Sequence, residues 1–176
     1  MTRFVAFLRG INVGGHIVKK EKLKEIFESL GFQNVSTLKQ SGNVIFEVDA
    51  GGEEIRVKLE EKLAQTLDFK VPVFIRTIPQ LRSIVETEPF KGCEQEGASF
   101  LITFLPENSK FPIPLPITIP KSTAQVISAK GGEVFSVTHG GGEGALPNPF
   151  VESKLKVKAT TRNLNVIREI IEKYSN

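Results

Sequence analysis

A chain of 176 residues, 40% hydrophobic and 24% charged, has an ordinary globular composition and length for one domain or two small ones. At this size about two-thirds of the unfolded surface is buried on folding, so no disulfide or metal staple is needed. Its lone Cys93 excludes an internal disulfide and fits a reducing compartment. No apolar run approaches the ~18 residues of a membrane span, and the start, MTRFVAFLRG, lacks the long apolar core and cleavage site of a signal peptide. A cytoplasmic protein is expected. The net charge of +3 is mildly basic and by itself weak evidence for a nucleic-acid partner. The charge is uneven, however: residues 1–24 carry six Lys/Arg against one Glu, and residues 47–68 carry seven acidic residues against three basic.

RFVAFLRG, rich in large apolar residues, predicts a strand over 3–9. Leu23, Ile26, Phe27 and Leu30 recur at i, i+3, i+4 and i+7, an amphipathic helix ended by Gly31. NVSTLKQSGNVIFEV reads as a hairpin turned at Ser41-Gly42-Asn43, and Ile55, Leu59, Leu63 and Leu67 mark a second helix. VPVFIRT then completes a βαββαβ order, the split unit of a ferredoxin-like fold, over residues 1–78. Thr77, Pro79 and Gln80 suggest an N-cap, an N1 proline and a capping-box glutamine for a short helix that opens a second α+β subdomain over residues 79–176. ASFLITFL predicts a strand, and the proline-rich run at 106–120 is expected to be extended or polyproline-like. A hairpin around Lys130-Gly131-Gly132 follows, and a final helix carries Leu164, Ile167, Ile170, Ile171 and Tyr174 on one face. The expected class is α+β, with two antiparallel sheets and helices packed on one side of each.

LRGINVGG, SGNVIF, FIRT, EPF, ITFL and ATTRN occur in that order. In them the chain resembles a bacterial family known as domain of unknown function 1697. The resemblance spans nearly the whole chain. It implies an α+β protein of two ferredoxin-like subdomains and implies no activity. The sequence departs from the family pattern at His16, where a polar or charged residue usually follows VGG, and in the proline-rich run, which replaces a helix-compatible segment.

Gly10 and Gly15 have the spacing of a phosphate-binding P-loop, but His16 and Ile17 stand where Lys and Ser/Thr should reach the outer phosphates and Mg²⁺. What remains is a glycine-bearing strand-to-helix loop near a helix start, able to offer N–H groups to an anion, with Arg9, Lys19 or Lys20 supplying charge. The competing reading is that the glycines only satisfy backbone torsions. RNA-recognition sheets stack bases on aromatics of the central strands. Here the corresponding positions are Asn43, Ile45 and Val48, and Phe4 and Phe7 alternate between faces. Thirteen of the fourteen aromatics are Phe, which suits core filling better than base stacking. HGGGEG at 139–144 lacks a G-x-S-x-G partner, STLK lacks a K-T-G, and Cys93 lies next to Glu94 and Glu96, an unfavourable setting for a reactive thiolate. Two distant histidines and one cysteine form no metal-ligand cluster. No cofactor is expected.

In ATTRN, Thr160 or Thr161 is read as capping the last helix, with Arg162 and Asn163 in its first turn. A cation there costs about 0.3–1 kcal/mol, which a carboxylate partner or a bound anion would offset. The leading expectation is a module for a small anionic ligand, a nucleotide or metabolite phosphate. Its candidate residues are Arg9, Asn12, Gly14 and Gly15, then Ser41 and Asn43, then Thr161, Arg162 and Asn163. One alternative is an enzyme on a phosphorylated or carboxylated substrate using His16 or His139, which would require a buried, charge-coupled imidazole. The other is an RNA- or protein-partner-binding role for the basic ends or the proline-rich run.

Overall fold

The computed structural model describes residues 1–39, 42–140 and 146–175. It is a mixed α+β structure with two antiparallel sheets, and the chain divides into two compact units, Met1–Leu81 and Arg82–Asn176. None of the helices among the described residues is long and apolar enough to cross a membrane.

In the first unit β1 (Thr2–Leu8), α1 (Lys20–Ser29), β2 (Gln33–Leu38), β3 (Asn43–Val48), α2 (Gly52–Leu67) and β4 (Val73–Thr77) follow the order expected from the sequence. The strands lie in the order β2-β3-β1-β4. One face of β1 (Phe4, Ala6, Leu8) joins Leu23, Ile26 and Phe27 of α1 and Ile55, Leu59 and Leu63 of α2 in a single apolar core. Its centre is aromatic: Phe46 stacks on Phe32 at 4.8 Å and meets the edge of Phe27 at 5.3 Å. Near the end of the inner strands, Arg3 Nε and Asn34 Nδ2 donate to opposite oxygens of Glu47 at 2.8 and 2.6 Å. These two bonds, Asn34's first, hold the Glu47 carboxyl below its ordinary value.

The boundary between the units falls within α3 (Ile78–Glu86). This helix has the reciprocal cap its sequence predicts: Thr77 N–H donates to Gln80 Oε1 and Gln80 N–H to Thr77 Oγ1. With Thr77 as N-cap, Pro79 is the second helical residue, one place later than expected.

The second unit continues with β5 (Ala98–Phe104), β6 (Ile117–Thr118), β7 (Gln125–Lys130), β8 (Glu133–His139), α4 (Asn148–Leu155), β9 (Thr160–Asn163) and α5 (Leu164–Tyr174). Its strand order is β6-β7-β8-β5-β9. The proline-rich run opens with a turn, Ser109 N–H on Pro106 O at 3.1 Å with Asn108 at φ 62°, and then alternates partly buried and exposed residues over 111–118 as an extended run does, pairing with β7 through the two residues of β6. Its Phe111, Leu115, Ile117 and Ile119 pack against a core of Leu105, Val126, Val134, Val151 and Ala159. Helix α4 has no counterpart in the sequence expectation, because only Val151 of its eight residues is fully buried and the amphipathic signal is faint.

One expectation is overturned here. ATTRN does not open the last helix. Thr160–Asn163 is an edge strand registered on β5, with Ile102 opposite Arg162 and Thr103 opposite Thr161. The helix begins one residue later, and its cap is Asn163, whose Oδ1 accepts the N–H of Asn165 at 2.8 Å. The pattern Thr-Thr-Arg-Asn serves a short β-strand as well as a helix start, and pairing with β5 decides between them.

Candidate functional site

Between β1 and α1 the chain makes a loop whose shape its own sequence imposes. Asn12, Gly14 and Gly15 all adopt positive φ (59°, 62° and 91°), a conformation that glycine and asparagine enter at little cost. Asn12 N–H donates to His16 O, and Asn12 Oδ1 accepts Val18 N–H, both at 2.8 Å. His16 N–H closes a turn on Val13 O at 3.3 Å, and the imidazole lies 4.1 Å from the Phe69 ring centre. Ile11 and Val18 are buried and anchor the two ends. The tip is held firmly yet solvent-facing: Gly14, Gly15, His16, Lys19 and Lys20 are exposed. Val13 and Ile17 are also exposed, at 67% and 80%.

Two of the candidate segments meet in this first unit. Leu8 N–H donates to Gly42 O at 2.8 Å, and a Cβ on Gly42 would lie 3.1 Å from Leu8 Cβ and 3.3 Å from Ile11 Cβ. Gly42 therefore sits directly on the base of the glycine loop. Arg9 N–H donates to Pro72 O at 3.0 Å, which ties the same base to the segment before β4. Asn43 faces inward: it is 1% exposed, and its amide donates to Leu38 O across the hairpin. Ser41 lies outside the described residues.

Helix α1 then starts abruptly. Its N-cap is Lys19, which makes no side-chain cap, and Lys20 follows; Glu21 is the acidic residue of the first turn. A side chain that accepts hydrogen bonds is the usual occupant of that position, and cations are disfavoured there.

The remaining candidates belong to the second unit. The Thr161 hydroxyl donates to Asn148 Oδ1 at 3.2 Å and lies 2.9 Å from the Thr103 hydroxyl. Arg162 is buried and donates to Thr160 Oγ1 at 2.7 Å and to Thr161 O at 2.9 Å. Burial pushes its guanidinium down to about 10. Arg162 is thus a strand residue with nearby oxygen partners, and the helix-end argument for an anion beside it no longer applies.

Both histidines are exposed, so neither supplies the buried imidazole that the enzymatic alternative requires. Of HGGGEG, residues 141–144 lie outside the described residues. No group of three or more His, Cys, Asp or Glu able to hold a metal occurs among the described residues. Phe4 and Phe7, the first-strand aromatics considered for base stacking, are both buried. Sequence reasoning missed the Thr103–Thr161–Asn148 hydroxyl chain and the fully buried Ser136, whose Oγ has no partner among the described residues. Opposing register on β5 and β9 creates that chain, and no local motif announces it.

A family model described as "Protein of unknown function (DUF1697)" matches residues 1–135. No curated protein matches. Among solved structures, the conserved bacterial protein SP0830 from Streptococcus pneumoniae superposes with a TM-score of 0.72 at 21% identity, over 100% of this chain and 99% of that one. That likeness extends to the fold.

Proposed function

The chain belongs to the DUF1697 family, and we propose that it is a cytoplasmic module that binds a small anion, a nucleotide or metabolite phosphate, at the loop between β1 and α1. One observation carries the reading: α1 opens on Lys19 and Lys20 without a side-chain cap, a few residues after an exposed Gly14-Gly15 tip. An anion there would meet helix amides, two ammonium groups and Arg9, and would relieve the cost of placing cations at the positive helix end. Asn12, Gly42 and Asn43 act in this reading as positioning residues, since their contacts shape the loop and the turn beneath it. The βαββαβ order and the 2-3-1-4 strand order of the first unit support a ferredoxin-like frame. The second sheet repeats that strand order in β7-β8-β5-β9.

The test is calorimetric titration with inorganic phosphate and with a nucleoside monophosphate at low salt. Saturable binding is expected, weakened roughly 3- to 10-fold in the double variant Lys19→Gln/Lys20→Gln. Absence of any binding heat with either anion contradicts the reading.

A further inference from the structure

Two irregularities of the second sheet fall at one place. Ser136, on β8, is fully buried, and its Oγ has no hydrogen-bond partner among the described residues. It lies opposite Leu101 of β5 on one side and Val126 of β7 on the other. Leu101, Val126 and Val134, two residues before it on β8, are buried, and their side chains offer no polar atom. Beside the same pair the β7–β8 ladder slips. Val126 pairs with Ser136 but Ser128 pairs with Phe135, so Ile127 is an extra residue, a β-bulge. The core shows the slip independently: Val126 and Ala129 are three residues apart, yet both pack on the apolar core of the second unit, against strict alternation along a strand. A bulge interrupts the ladder and leaves its extra residue unpaired. An unpartnered hydroxyl and a break in the backbone pairing therefore adjoin in apolar surroundings, where polar groups left without partners are costly.

We infer that one ordered water molecule is a resident ligand of this bulge, accepting a hydrogen bond from Ser136 Oγ and bonding the main chain of residues 126–128. Burial sets the ligand class. Ser136 and Val126 are both 0% exposed, so the occupant is the smallest molecule that both donates and accepts. The hydroxyl and the bulge's main-chain groups supply the two to four polar partners that a buried water takes. The water would stand in for the missing rung and hold the bend of the β7–β8 hairpin.

The test is a high-resolution crystal structure of the intact chain, together with urea denaturation of the wild type and Ser136→Ala. A water is expected within about 3.2 Å of both Ser136 Oγ and a main-chain N or O of residues 126–128. No water there, or a water that reaches Oγ alone, overturns the inference. Ser136→Ala removes one anchor of the water, and its urea midpoint should fall by about 0.5 M. An unchanged or raised midpoint is what deletion of an unpartnered hydroxyl gives, and it overturns the inference too. A lowered midpoint without a water in the crystal would assign the hydroxyl to a protein partner, again contradicting it.

Discussion

The two units solve one problem in different ways. Each forms an antiparallel sheet in which the first strand of the unit's sheet lies between its last two, but the crossover after that strand differs. In the first unit it is the glycine loop and α1, whose Leu23, Ile26 and Phe27 fill the core with large side chains. In the second it is a proline-rich extended run whose Phe111, Leu115 and Ile117 are only partly buried over a core of mainly Val and Ala. A helix presents a dense apolar stripe, whereas an extended run buries alternate residues and proline removes backbone donors. The difference teaches that the first strand can hold its central place with or without a crossover helix, and only the first unit has a helix N-terminus at that point.

Substitutions can break this comparison, the largest effect coming from the better-packed crossover. Phe27→Ala should cost about 3–5 kcal/mol and Ile119→Ala about 2 kcal/mol in chemical denaturation; equal losses would mean that the proline run packs as tightly as α1. Gly42→Ala should cost about 2 kcal/mol, because φ is +69° and the new Cβ would crowd Leu8 and Ile11. Gly14→Ala, with nothing within 4 Å of its Cβ, should cost about half of that. Thr161→Val should cost about 1 kcal/mol by breaking the bridge between Thr103 and Asn148; an unchanged midpoint would make that chain energetically idle.

Glu47 sharpens the comparison through pH. Its folded-state carboxyl is held below the ordinary value of 4.5, so its contribution is present above that value and is lost as pH falls through the folded pKa. Glu47→Gln should therefore cost about 1 kcal/mol at neutral pH, and the gap from wild type should shrink steadily below pH 4.5. A gap independent of pH would assign the loss to packing.

Much of the first unit was legible in the sequence because its signals are local and strong. Leu23-Ile26-Phe27-Leu30 can only be a helix stripe, and Gly31, with φ of +82°, ends it. The Thr77–Gln80 cap was equally plain, needing correction only in the place of Pro79. The second unit was less legible because its decisions are made at long range. Whether Thr160–Asn163 is strand or helix start depends on β5, nearly sixty residues earlier. Helix α4 hid behind a weak apolar pattern, and the partners of Thr161 are residues 103 and 148. The same contrast holds at the site. The exposed glycine tip could be read from INVGG, but the inward turn of Asn12 and Asn43 could not, since an asparagine side chain serves a loop's own backbone as readily as a ligand.

The most direct test of the central claim is a set of amide NMR spectra of the intact chain at low salt, recorded as inorganic phosphate is added. The account predicts saturable shifts confined to the glycine loop and the first turn of α1, led by Gly14, Gly15, Lys20 and Glu21, with Thr160–Asn163 unmoved. Loop amides that stay fixed at saturating phosphate, or shifts centred on Thr160–Asn163, would contradict it.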